Sequence, residues 1–76
     1  MLTAAEIHSL LVMTLSRAAG GSPERWRELI GEMFVFSLST HPTCNWRVVP
    51  FGTPREVASI NMAVELVRQG HPHTRW

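Results

Sequence analysis

The chain has 76 residues, of which 45% are hydrophobic and 17% are charged, and its formal net charge is +1. This composition is typical of one small globular domain and excludes a disordered segment, which would have few apolar residues and a high net charge. The net charge is much smaller than the strong positive charge of a dedicated nucleic-acid-binding domain.

Lysine, aspartate and tyrosine are absent from the chain. Without lysine, the chain has no Schiff-base nucleophile and no P-loop lysine to hold a phosphate. Without aspartate, it has no Ser-His-Asp triad and no EF-hand. The single cysteine, Cys44, excludes an internal disulfide framework and the zinc sites that need four cysteines, or two cysteines and two histidines, within one chain.

The first predicted helix spans residues 4–19. Thr3 and Glu6 have the spacing of a capping box, in which each side chain accepts a hydrogen bond from the other residue's backbone amide. Gly20 and Gly21 end the helix, because glycine readily adopts the left-handed conformation that closes a last turn. At about 100° per residue, one apolar stripe of this helix contains Ile7, Leu10, Leu11, Thr14, Leu15 and Ala18.

The middle of the chain has two interpretations, and both stay open at this point. Ser22 followed by proline predicts a helix start, and apolar residues at helical spacing continue a helix over 23–39. Residues 34–39 also alternate at period two and are rich in strand formers, with 46–49 as a candidate partner strand. The first interpretation, which we prefer, gives a mainly α three-helix domain. The alternative is an α+β domain of order ααββα with a hairpin at about 34–50.

A Thr-Pro-Arg-Glu motif at 53–56 combines a capping box with a proline in the first turn, which is the strongest helix start in the chain. It predicts a third helix over 54–69, which Gly70 ends. We therefore expect one small helical domain over 1–70 and a short C-terminal tail over 71–76.

Candidate catalytic and metal-binding residues are few. His41 and Cys44 resemble a base and a nucleophile, but Pro42 prevents a regular helical turn from bringing them onto one face. His71 and His73 could ligate a metal, yet no histidine or cysteine in the chain has a recognised ligand spacing. We therefore predict a protein that is not an enzyme and that has no cofactor and no metal site.

A protein-binding role is the favoured prediction. Val12 and Met13 widen the apolar face of the first helix, and tryptophan, which is enriched at interface hot spots, occurs three times. We expect an adaptor, an assembly factor or an inhibitor of a larger machine, for instance one encoded by a phage or plasmid. We expect it to act as a homo-oligomer, since a core this small gains from a partner. The candidate partner-binding residues are Val12, Met13, Trp46, Arg47 and Trp76.

The alternative function is a small regulator that binds DNA or RNA. In that case dimerisation would gather dispersed arginines into one patch. The candidate residues are Arg25, Arg27, Arg47 and Arg55. We predict a cytoplasmic location, because the single thiol of Cys44 suits a reducing compartment and the first residues lack a signal-peptide pattern. Every apolar run is short, so we expect no membrane span.

Overall fold

The computed structural model describes all residues, 1–76. The domain consists of three helices and a hairpin of two short strands, which confirms the mainly helical class and includes the hairpin of the alternative interpretation. In chain order the elements are α1 (Ala4–Ala18), α2 (Pro23–Ile30), β1 (Met33–Val35), β2 (Trp46–Val48) and α3 (Pro54–Gly70).

Capping boxes fix the starts of α1 and α3. The Thr3 hydroxyl accepts a hydrogen bond from the Glu6 amide at 3.2 Å, and the Glu6 carboxylate accepts one from the Thr3 amide at 2.9 Å. Thr53 and Glu56 form the same pair of hydrogen bonds at the start of α3, with the same distances. Both predicted helix starts are therefore confirmed at the level of individual hydrogen bonds.

The predicted second helix over 23–39 is too long, because α2 ends at Ile30. Gly31 has φ 70° and ψ −148°, a backbone conformation that favours glycine and cannot continue a helix. A Cβ atom at Gly31 would also lie 3.3 Å from the Phe51 ring. Beyond this glycine, the alternating strand-forming residues pair in a sheet.

The hairpin is antiparallel, with Met33 opposite Val48, Phe34 opposite Arg47 and Val35 opposite Trp46. An isolated two-stranded ribbon is marginal in water, so it needs cover from the rest of the domain. Trp46 supplies the anchor, since it is only 2% exposed and its indole N–H donates a hydrogen bond to the His71 carbonyl at 2.8 Å.

The core lies around α1, which packs against both α2 and α3. This central position explains the wide apolar face of α1, because two neighbouring helices require two apolar flanks. The largest fully buried side chains are Trp46, Ile7, Leu11, Leu15, Ile30 and Ile60.

The segment after α3, predicted as a tail over 71–76, lies against the domain and joins its two ends. The Thr74 hydroxyl donates a hydrogen bond to the Leu2 carbonyl at 2.7 Å, and the Ala4 amide donates one to the Arg75 carbonyl at 2.6 Å. Thr74 is 2% exposed, so this segment contributes a buried side chain to the fold.

Candidate functional site

A continuous apolar surface runs along the exposed sides of α1 and α3, and we call it the α1–α3 face. Its three large side chains are Met13, Met62 and Leu66, which are 52%, 70% and 60% exposed. Large contiguous apolar patches on a protein surface often mark sites of protein interaction. The face is defined by Leu10, Met13, Thr14, Ala18, Met62 and Leu66.

A groove of about 180 Å³ separates the two helices on this face. The small residues Ala18, Ser59 and Ala63 line it together with Met62 and Leu66. It adjoins a hollow on α1 through Thr14 and Ala18, which line both depressions. The two depressions therefore adjoin, and a mainly apolar surface runs from α3 across the groove to α1, with Thr14, Ser59 and Arg17 as its polar members.

The α1 side of the face has one charged residue near each end. Helical spacing aligns Glu6, Leu10, Met13 and Arg17 along one stripe of α1. Glu6 lies in the first turn and Arg17 in the last, so each charge also opposes the nearby partial charge of the helix dipole. The centre of the stripe is apolar and its ends carry opposite charges.

Hydrogen bonds favour the anionic form of Glu6. The pKa of its carboxyl group is lowered, mainly by the hydrogen bond from the Thr3 backbone amide and next by the Thr3 side chain. Arg17 has no carboxylate within ion-pair distance, since the two ion pairs of the chain join Arg25 to Glu56 and Arg68 to Glu65. The Arg17 guanidinium is thus free to pair with a group outside the chain.

The five predicted partner-binding residues have different positions. Met13 belongs to the α1–α3 face, and Trp76 is 76% exposed at the C-terminus. Arg47 is exposed on the outer side of the hairpin. Val12 and Trp46 are only 3% and 2% exposed, so their side chains do not lie on the surface, where the predicted partner contact would require them. Both belong to the core, where Val12 fills the second apolar flank of α1.

The four candidate nucleic-acid arginines lie on three different elements, α2, β2 and α3. Arg25 and Arg55 line one shallow cleft at the starts of α2 and α3. The Glu56 carboxylate lies in the same cleft, 3.4 Å from the Arg25 Nε atom, and offsets part of its positive charge. Arg27 is exposed on α2, and Arg47 lies on β2 opposite Phe34.

The side chains of His41, His73 and Cys44 each have a separate structural contact. The His41 ring stacks on Phe36 at a centroid distance of 4.3 Å. The Cys44 thiol donates a hydrogen bond to the Trp46 carbonyl at 3.4 Å, and His73 hydrogen-bonds the Pro42 carbonyl at 2.6 Å. No group of three or more metal-ligating side chains is close enough to hold an ion. None of the helices has the length and apolar content needed to cross a membrane.

Sequence reasoning missed Met62 and Leu66. They flank the predicted core stripe of α3 on its α1 side, four residues apart. That spacing is the available signal, because residues four apart lie on one face of a helix. It could not be interpreted without knowing which side of α3 meets α1.

No protein-family model matches the chain, and no curated protein or solved structure is significantly similar to it.

Proposed function

We propose that this chain is a non-enzymatic, cytoplasmic protein-binding module that acts through its α1–α3 face. The observation that carries the proposal is the exposure of Met13, Met62 and Leu66, each more than half exposed, on one continuous apolar surface. Burying apolar surface is the main driving force of protein association, at roughly 25 cal/mol per Å². A partner that covers these side chains gains that free energy.

The chemistry of the face favours a helical partner. Methionine side chains are flexible and polarizable, so they adapt to the shape of an apolar ridge. The floor of the α1–α3 groove includes the small residues Ala18, Ser59 and Ala63, with Met62 and Leu66 beside them, and such an apolar groove can accept side chains from an amphipathic helix. An adaptor, an assembly factor or an inhibitor would use such a face to hold one segment of a larger assembly.

The test is affinity capture from a lysate of the source cells, with the wild-type chain and two variants as baits. Met13→Glu places a charge in the α1–α3 face. Val49→Glu is the matched control, because Val49 is 54% exposed but follows the hairpin strand β2. Each capture is divided into nuclease-treated and untreated halves.

We expect one protein to bind the wild-type and Val49→Glu baits in both halves and to be absent from the Met13→Glu bait. Capture that is unaffected by Met13→Glu contradicts a role for this face. Circular dichroism of the three baits verifies that each variant is folded.

Nucleic-acid binding is the second candidate function. The observation in its favour is the cleft that Arg25 and Arg55 share. Such binding weakens steeply with ionic strength, because contact with phosphates releases counterions. Loss of all captured proteins after nuclease treatment, together with a steep salt dependence, would favour this candidate over the first.

A further inference from the structure

The exposed stripe of α1 has the spacing of a coiled-coil seam. Glu6, Leu10, Met13 and Arg17 are separated by four, three and four residues. This alternation keeps side chains on one line when two helices pack together. At 1.5 Å per residue the stripe is about 16 Å long. Its two central residues are apolar and its two ends are charged.

The order of these residues is self-complementary in an antiparallel pair. When a second α1 runs in the opposite direction, with a two-fold axis midway between Leu10 and Met13, Leu10 faces Met13 of the other copy. The same rotation places Glu6 opposite Arg17 of the other copy, and each of these contacts occurs twice. Isologous contacts of this kind are the commonest basis of homodimers.

We infer that the occupant of the α1–α3 face is a second copy of this chain, bound through antiparallel pairing of the two α1 helices. The inference rests on the proposed function, in which this face binds protein, and it names the partner. In a parallel pair the two Glu6 side chains would meet, as would the two Arg17 side chains. Juxtaposed like charges disfavour that arrangement, so the charges select the antiparallel one.

Both charged groups have unused pairing capacity. One Glu6 carboxylate oxygen, Oε1, accepts the Thr3 amide at 2.9 Å, and a carboxylate has a second oxygen with which to accept a guanidinium N–H. Arg17 has no ion pair within its own chain. The Glu6–Arg17 contact therefore forms without breaking an ion pair or a capping hydrogen bond.

The α3 helices lie beside this contact. The two-fold rotation places both α3 helices on the same side of the α1 seam. Met62 and Leu66 line the groove between α3 and α1, next to Thr14 and Ala18, so they flank the seam and do not form it.

The test uses charge reversal, measured by analytical ultracentrifugation across a concentration series. The wild-type chain is expected to sediment as a dimer. Arg17→Glu and Glu6→Arg each create two like-charge contacts per dimer, and each is expected to raise the dimer dissociation constant by about tenfold or more. An equimolar mixture of the two variants restores opposite charges at both ends, so it is expected to form a heterodimer.

Two further variants serve as controls. Arg27→Glu makes the same change of charge on the exposed side of α2, and its dimer dissociation constant is expected to equal that of the wild type. Glu6→Arg also removes the capping box, so Glu6→Gln, which retains a side-chain acceptor for the Thr3 amide, separates loss of charge from loss of the cap. Circular dichroism verifies that every variant is helical.

Several outcomes would overturn the inference. They are a wild-type chain that stays monomeric at every concentration, a dimer that Arg17→Glu leaves unchanged, and a mixture of variants that does not form the heterodimer. A monomer that still captures another protein through Met13 would refute the second copy as occupant and would leave the proposed function standing. A dimer whose stability does not depend on Met13 would count against both.

Discussion

Asn45 and Thr74 bind each other through two hydrogen bonds across 29 positions of sequence. The Thr74 amide donates to the Asn45 side-chain oxygen at 2.8 Å, and the Asn45 side-chain N–H donates to the Thr74 carbonyl at 2.8 Å. Both residues are 2% exposed. The pair joins the end of the hairpin loop to the segment after α3, and this segment in turn contacts the start of α1.

Replacing Asn45 by alanine should therefore destabilise the whole domain. Asn45→Ala leaves the Thr74 amide and carbonyl buried without these partners, and also removes the hydrogen bond to the Phe36 carbonyl. We expect a loss of about 3 kcal/mol in the free energy of unfolding. Urea denaturation followed by circular dichroism measures it. Asn61→Ala, on the exposed side of α3, is the control and should change stability by less than about 0.5 kcal/mol. If the two substitutions lower the free energy of unfolding equally, the Asn45–Thr74 pair does not stabilise the domain as predicted.

Gly31 should be intolerant of any side chain. Gly31→Ala forces a Cβ atom into a backbone with positive φ and within 3.3 Å of the Phe51 ring. We expect a cost of about 1–3 kcal/mol in the free energy of unfolding. Gly70→Ala is the matched control, because the space around Gly70 is open and its position is the last of a helix. That substitution should be neutral or slightly stabilising. A Gly31→Ala chain as stable as the wild type would show that the backbone at this turn is not constrained to positive φ.

Replacing Trp46 should destabilise the domain, even when the replacement is another aromatic residue. Trp46→Phe removes the hydrogen bond to the His71 carbonyl and leaves a smaller ring beneath the Arg68 guanidinium, which lies 5.8 Å from the indole centroid. We expect a loss of about 2 kcal/mol in the free energy of unfolding, since a partly buried carbonyl loses its partner and the core loses volume. Thermal unfolding measures the effect, with Trp76→Phe at the exposed C-terminus as the control. Similar melting temperatures for the two variants would argue against an anchoring role.

The two capping carboxylates should make the domain less stable in acid. The pKa of Glu6 and that of Glu56 are lowered, mainly by hydrogen bonds from the Thr3 and Thr53 backbone amides. A carboxyl group whose pKa is lower in the folded state contributes stability above its unfolded pKa, and that contribution is lost as the pH falls through the folded value.

The melting temperature of the wild-type chain should therefore decrease between about pH 5 and pH 3. The double variant Glu6→Gln, Glu56→Gln should show a smaller decrease. Glu24→Gln with Glu28→Gln, on the exposed side of α2, should retain the wild-type pH dependence. The same acid sensitivity in all three chains would contradict the assignment to the caps.

Local signals in the sequence were sufficient to predict where the helices start. Thr3, Ser22 and Thr53 act within three residues of their hydrogen-bond partners, so residue type and spacing alone identify them. The apolar stripe predicted for α1 identified part of its core side, because a helix that packs on neighbours repeats its apolar residues every three to four positions. Ile7, Leu11 and Leu15 of that stripe are buried. Leu10 and Thr14 are only half-buried and Ala18 is exposed.

Features that depend on contacts distant in sequence were beyond such reasoning. The end of α2 depends on the backbone that Gly31 adopts next to Phe51, 20 residues later. Val12 was predicted as an interface residue because it lies outside the predicted apolar stripe of α1, and Trp46 because tryptophan is enriched at interfaces. Both side chains are buried in the core, where the Trp46 indole donates a hydrogen bond to the His71 carbonyl. Met62 became a candidate only when the structure placed α3 antiparallel to α1, next to the same groove as Thr14 and Ala18.

The four methionines offer the most direct test of the claim that the α1–α3 face binds protein. Met13 and Met62 lie on the face, Met33 is 8% exposed in the core and Met1 is 68% exposed at the N-terminus. Methyl NMR of a methionine-labelled chain reports on all four in one spectrum, as the concentration of the chain is raised or a captured partner is added. We predict that the Met13 and Met62 methyl resonances shift together and saturate, while those of Met33 and Met1 stay in place. Association that leaves the Met13 and Met62 resonances unchanged would contradict the account.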